Sequence, residues 1–291
     1  MNRQKLSKKA YLLHLSSTSL ADGIRQGKFR SLFHGQGIEF RGVRDYLPGD
    51  DIRTIDWNVT ARMAKPYVKV FEEERDLDVF IIVDKSLSME TGSRARSRLE
   101  IASECASLIA LASFQNSSPV GAVTFDGKIE FSCAPKSGKD QLMLLLSEFE
   151  KTISKKQPGS SLETALSGAI KLLRKRTLVI VVSDFRASGW TDAFARLCTK
   201  NDVVAIRITD PTDEELPSVG SILFTDPETD YSEVLPSSSR EFAKAWKSDN
   251  IRRMDAWKKD CIRHGGYPLC ISTADDPARS LVRFFTAREK R

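Results

Sequence analysis

Two apolar runs constrain this chain more than any other feature: "LDVFIIVD" from Leu77 to Asp84 and "TLVIVVSD" from Thr177 to Asp184. Each is continuous rather than alternating, each has strand length, and each stops at a carboxylate. A strand apolar on both faces must be covered on both faces, as a central strand of a parallel sheet is. The loop after such a strand bears on function, because ligands of open α/β sheets sit in the crevice beyond the carboxyl ends of the strands.

The segments between and after these runs fit that frame. "SRLEIASECASLIALASF" places Leu99, Ala102, Ala106, Ile109 and Ala110 at helical spacing. "VGAVTF" and "KIEFSC" flank Asp126-Gly127, a strong two-residue hairpin signal. "KDQLMLLLSEFEKTI" presents Leu142, Leu145, Leu146, Phe149 and Ile153 along one helical side, and "SSLETALSGAIKLLRK" is a further helix opened by a Ser160–Glu163 capping box. "DAFARLC" reads as helix, and "VVAIRI", "VGSILFTD" and "YPLCIS" read as strands. A long amphipathic helix ending at Gly265-Gly266 carries Trp246, Met254 and Trp257 at core spacing. The last helix starts with Asp276 as N-cap and Pro277 at its first position. Strands alternating with helices predict an α/β fold, a doubly wound, mostly parallel sheet with one antiparallel hairpin strand.

Residues 1–75 read differently. Residues 1–34 are basic and suggest one or two short helices. "GIEFRGV" and "YVKVFEEE" read as strands around a Pro48-Gly49 turn. The expected organisation is an N-terminal arm with a small β-rich segment over 1–75, then an α/β domain over 76–291. Trp57 and Phe71 are expected in the core of the first part. Asp50, Asp51 and Asp56 are expected in a polar turn with arginine partners such as Arg44, Arg53 and Arg62.

Composition narrows the function classes. The net charge of +6 is uneven: residues 1–75 carry +5, residues 76–235 carry −5, and residues 236–291 carry +6. No aromatic-interleaved basic run accompanies the basic ends, so nucleic acid is not the expected partner. The five cysteines are scattered without C-x-x-C spacing, against both a disulfide framework and a zinc site. No signal peptide or bilayer-length apolar run is read, and a reducing cytoplasm is the expected compartment. "PKSGKDQL" fails as a phosphate loop, because Cys133 stands at the first glycine and Asp140 at the final hydroxyl.

The candidate site comes from three strand-end loops. The first holds Asp84, Ser86 and Ser88, whose spacing of two along an extended loop turns all three side chains one way. The second starts a helix at Ser160-Ser161, and the third carries Asp184. An all-oxygen donor set of this kind suits Mg²⁺. Lys85 is expected either to face solvent or to weaken cation binding by proximity. A competing reading leaves Ser86 and Ser88 as turn hydrogen-bonders only.

D-x-S-x-S after a buried strand resembles the metal-ion-dependent adhesion site of von Willebrand factor A-like domains. The resemblance implies direct coordination of Mg²⁺ or Mn²⁺ by Ser86 and Ser88, an Asp84 acting mainly through water, and Asp184 from the third loop. Ser160 stands where that family has a threonine. The last ligand is implied to be an acidic side chain of a protein client. Upstream, "GIEFRGVRDYLPGDDIRTIDWNVTARMAKPYVKVFEEERD" resembles the signature of a bacterial subgroup of unassigned function that accompanies MoxR-type AAA+ ATPases. That implies a non-enzymatic adaptor or chaperone-like partner of such an ATPase. Two alternatives remain open at this point. One is a metal-dependent phosphohydrolase or nuclease, since strand-end carboxylates with Mg²⁺ activate water. The other is a basic scaffold binding nucleic acid or an acidic partner through residues 1–35 and 236–291.

Overall fold

The computed structural model describes residues 38–63, 65–73, 77–93, 96–151, 161–225 and 232–287. They fall into two compact units that divide between residues 76 and 77. The smaller unit is a hairpin. Strand β1 (Ile38–Asp45) pairs antiparallel with β2 (Tyr67–Glu73), and a short helix α1 (Trp57–Met63) lies between them in sequence. The three aspartates between β1 and α1, Asp50, Asp51 and Asp56, have separate duties. Asp50 accepts two hydrogen bonds from the Arg44 guanidinium at 2.6 and 2.7 Å, which holds its carboxyl down at about 2. Asp51 caps a single 3-10 turn through the Arg53 amide, and Asp56 caps α1 through the amides of Asn58 and Val59. Trp57 departs from expectation. It is 67% exposed rather than core, because α1 buries none of its side chains. The Phe71 side chain lies outside the described residues.

The larger unit alternates strand and helix. In chain order it comprises β3 (Val79–Asp84), α2 (Arg98–Gln115), β4 (Val120–Phe125), β5 (Ile129–Lys136), α3 (Lys139–Glu150), α4 (Leu162–Leu172), β6 (Leu178–Ser183), α5 (Thr191–Lys200), β7 (Asp202–Thr209), α6 (Pro211–Glu214), β8 (Ile222–Thr225), β9 (Ser232–Leu235), α7 (Arg240–Arg263), β10 (Tyr267–Ser272) and α8 (Pro277–Ala287). Six strands form one sheet in the order β10-β7-β6-β3-β4-β5, and β5 alone runs antiparallel; its hairpin with β4 falls at Asp126-Gly127 as predicted, but the loop is three residues, 126–128, rather than two. The chain begins its sheet at β3, builds outward to β5, and then returns beside β3 with β6. The strand order therefore reverses between β3 and β6, where the carboxyl-end crevice of a doubly wound sheet opens.

The two apolar runs sit at that reversal. β3 and β6 are buried on every residue, and their period-two alternation feeds two cores. Val79, Ile81 and Val83 face α2, α3 and α8, meeting Ile101, Leu145 and Phe285. Phe80 and Ile82 face α4, α5 and α7, meeting Leu166, Phe194 and Trp257. Removing one such side chain, as in Ile82→Ala, costs about 2–5 kcal/mol.

The caps follow the sequence in most places. Ser97 and Glu100 form a reciprocal capping box at α2, and Asp276 accepts from the amides of Ala278 and Arg279. α7 stops where Gly265 takes φ +85°, a left-handed turn that glycine accommodates without a Cβ clash. The strand read in "VGSILFTD" forms β8, which pairs with β9 as a separate hairpin. One reading needs correction. The N-cap position of α4 is Ser161, whose hydroxyl donates to the Gly127 carbonyl instead of capping the helix. Ser160 and Ile153 lie outside the described residues. Among the described residues no helix is long and apolar enough to cross a membrane.

Candidate functional site

The last residue of β3 is Asp84, and it is 1% exposed. The chain then turns sharply. Ser86 keeps extended backbone and leads into a 3-10 turn, Leu87–Glu90, closed by the Met89 amide donating to the Ser86 carbonyl. The turn brings the Ser86 and Ser88 hydroxyl oxygens to 3.1 Å from each other. The Ser86 amide donates to Asp84 Oδ1 at 2.9 Å, so the motif closes on its own carboxylate. The spacing of two therefore converges the three side chains, although through a helical turn and not a fully extended loop.

From the neighbouring strand, Ser183 Oγ donates to Asp84 Oδ2 at 2.6 Å and accepts the Phe185 amide at 2.9 Å. Phe185 has φ +53°, in the left-handed region a bulky residue rarely occupies, and its ring packs on Trp190 and Trp257 at 5.1 and 5.4 Å. That kink comes directly after Asp184, which is 3% exposed. Asp184 Oδ1 accepts the Arg186 amide at 3.1 Å. Its Oδ2 is buried with no hydrogen bond among the described residues, and the Arg186 Nε stands 3.7 Å away.

Burial, and then the charge of Asp184, push the Asp84 carboxyl up to about 7, against the opposing hydrogen bonds from Ser183 and Ser86. Two buried carboxylates in one crevice call for a proton or a cation between them. The donor chemistry fits a hard divalent cation. The hydroxyl separation matches the edge of an octahedron with metal–oxygen bonds of about 2.1 Å, roughly 3 Å. The orphaned Asp184 oxygen is the kind of group an ion satisfies. Among the described residues no three His, Cys, Asp or Glu side chains converge, so the site is built from two carboxylates and hydroxyls.

A family model described as "Protein of unknown function DUF58" matches residues 42–256, which include the whole of this site. The chain belongs to the DUF58 family. Uncharacterized proteins of Mycobacterium tuberculosis (Rv1480, strain H37Rv) and Mycobacterium bovis (Mb1516) are each 28% identical to this DUF58 chain, over 98% of its length and 90% of theirs. Among solved structures, BatB from Bacteroides thetaiotaomicron is 16% identical with a TM-score of 0.46, covering 74% of this chain and 100% of its own. An aerotolerance-related membrane protein from Bacteroides fragilis is 17% identical with a TM-score of 0.49 over the same shares. The SpRpn10 VWA domain is 12% identical with a TM-score of 0.43, over 72% of this chain and 95% of its own. The fold of the DUF58 chain rests on its own strand order, not on these distant likenesses.

Several residues around the DUF58 site escape the sequence reading. Asp210, just past β7, is fully buried and accepts from the Ser93 amide (2.9 Å), the Thr273 hydroxyl (2.7 Å) and both the amide and hydroxyl of Thr212 (3.0 and 2.6 Å). Burial works against its charge, yet these donors together hold the carboxyl well below the usual range. It ties the loop after Ser88 to the ends of β7 and β10. Asp213 gathers Arg98 (2.7 Å) and Arg186 (2.6 Å), and Arg98 also donates to Thr91 Oγ1. The signal for Asp210 is the one that finds Asp84 and Asp184, an apolar strand ending in Asp. Ser183 has no such signal, since its role depends on pairing β6 with β3. Lys85 corrects an expectation: it is 1% exposed, and Nζ donates to the Glu148 and Lys151 carbonyls at 2.6 and 2.8 Å. It caps the carboxyl end of α3 rather than facing solvent or the crevice.

Proposed function

We propose that this DUF58 protein is a non-enzymatic, divalent-cation-dependent protein-interaction module. Asp84, Ser86, Ser88 and Asp184 would hold Mg²⁺ or Mn²⁺, with Ser160 as the proposed ligand from the second loop. The observation that carries the reading is a buried Asp184 oxygen that accepts no hydrogen bond, beside a second buried carboxylate whose own loop converges two hydroxyls. When bound, the cation supplies a coordination position for a carboxylate of a client protein. The chain's own residues would orient that position: Ser183 and the Ser86 amide hold Asp84, and the Arg186 amide holds Asp184.

The signature over residues 35–75 extends the proposal to a partner. Its resemblance to proteins that accompany MoxR-type AAA+ ATPases supports an adaptor or chaperone-like role beside such an ATPase, in the cytoplasm. A hydrolytic role finds less support, because Lys85, the lysine inside the motif, is engaged at the end of α3 and is not placed as a base. Mn²⁺ titration followed by electron paramagnetic resonance tests the cation site. The expected result is one bound ion per wild-type chain and loss of binding in Asp184→Ala and Ser86→Ala. Wild-type protein that binds no Mn²⁺, or variants that bind it equally well, would refute the proposal.

A further inference from the structure

Arg207 is the third-last residue of β7, in register with Ser183 on one side and Cys270 on the other. It continues the line of Val203 and Ala205 on the sheet face that packs against α7. Its guanidinium lies over the ring of Trp257 from that helix, with the central carbon 5.6 Å from the ring centroid. The same ring packs on Phe185, the kinked residue after Asp184. Arg207 therefore stands beside the crevice, on a floor shared with its third loop.

Arg207 differs from Arg98, Arg176 and Arg186, each held by a carboxylate. Arg98 is paired with Asp213, Arg176 with Asp202, and Arg186 with Asp213 and Asp184. Among the described residues no carboxylate lies within 4.0 Å of Arg207, and its nitrogens make no hydrogen bond. Asp184 and Asp213 act on it only at longer range, while burial disfavours its charge. The indole N–H of Trp257 is likewise buried without an acceptor among the described residues. A half-buried guanidinium on an aromatic floor, with its fork unoccupied, is preorganised for a planar anion. Partial burial strengthens that pairing over a fully solvated one.

We propose that Arg207, seated on Trp257 beside the Asp84–Asp184 crevice, is a carboxylate-binding subsite for a second acidic side chain of the client. This deepens the cation-dependent reading and rests on it: the cation takes one carboxylate and Arg207 takes another. The client segment is then one with two acidic residues a short distance apart, and a lone acidic residue binds more weakly.

The test uses the full-length chain in two arms. In the first, a chelator is present and sodium acetate is titrated while the Trp257 indole ¹⁵N–¹H signal, assigned with Trp257→Phe, is followed. A saturable shift is expected in wild type and in Asp84→Asn, and none in Arg207→Gln. In the second, Mg²⁺ is present and a labelled Glu-Gly-Gly-Glu peptide is titrated by fluorescence anisotropy. Arg207→Gln is expected to weaken binding about tenfold, the effect of one charge-assisted pair, with Arg207→Lys in between. Arg207→Gln removes a half-buried charge that no acid compensates at close range, so it should fold at least as well as wild type. An acetate shift without any Mg²⁺ effect on the peptide leaves the subsite standing and removes the cation reading. No saturable shift in wild type, or peptide affinity unchanged by Arg207→Gln, overturns the subsite. A stronger response to inorganic phosphate than to acetate overturns its assignment to carboxylates.

Discussion

Asp210→Ala is predicted to destabilise the protein by about 3 kcal/mol. Four donors converge on this buried carboxylate from the Ser93, Thr212 and Thr273 segments. At about 1.5 kcal/mol for each bond to a charged acceptor, their loss removes roughly 6 kcal/mol. Relief of the carboxylate's own desolvation returns a few kcal/mol of that. For a unit of this size the remainder lowers Tm by about 6–12 °C. Asparagine offers no remedy, since its amide would present donors to the donors already there. The pH dependence has a definite sign. The folded carboxyl is held below its unfolded value, so its contribution is complete above about pH 5 and is lost as pH falls below about 4. Thermal unfolding by circular dichroism from pH 7 to pH 3 should show a gap between wild type and Asp210→Ala that narrows in acid. A gap under about 1 kcal/mol at pH 7, or one unchanged at pH 3, would refute the account of Asp210 as the tie between the three segments.

Three further outcomes are expected. Lys85→Met keeps the aliphatic packing but removes the ammonium donor from the Lys151 carbonyl and leaves the Glu148 carbonyl with the Lys151 amide, costing about 1–3 kcal/mol by chemical denaturation and leaving Mn²⁺ affinity within about twofold; a large affinity change would place the ammonium in the crevice after all. Gly121→Ala forces a Cβ to 2.6–2.8 Å from backbone atoms of Cys133, Ala134 and Pro135, where β4 meets β5, and should cost about 1–3 kcal/mol, read as a lower denaturant midpoint. Ser183→Ala removes the donor to Asp84 Oδ2 and the acceptor for the Phe185 amide, and should weaken Mn²⁺ binding about tenfold while Tm falls by only a few degrees; unchanged binding would deny Ser183 a positioning role.

The sheet was legible because β3 and β6 are apolar on both faces, a pattern only double coverage satisfies. The hairpin was legible from Asp126-Gly127, although its loop is one residue longer than the two read there, and the first and third loops of the candidate site are proposed from carboxylates at strand ends. Other features depend on contacts that no local pattern encodes. Ser183 meets Asp84 only through the pairing of β6 with β3. Lys85 meets the end of α3 across a sequence distance of more than sixty residues. Trp57 was misplaced because an aromatic residue in a short apolar-looking segment reads as core, whereas α1 is too short to bury a face. The β8–β9 hairpin was missed because "SEVL" is short and polar, below what strand patterning resolves.

Thermal stability of wild type and Asp84→Asn, each in chelator and in excess Mg²⁺, tests the central claim most directly. Asp84 and Asp184 repel in a buried crevice, so in chelator at pH 8 Asp84→Asn should be the more stable protein. Mg²⁺ at about a hundred times its dissociation constant should then raise wild type by about 2.7 kcal/mol and leave Asp84→Asn nearly unmoved, reversing or closing the gap. No Mg²⁺ effect on wild type, or an equal effect on both proteins, would contradict a cation held by Asp84, Ser86, Ser88 and Asp184.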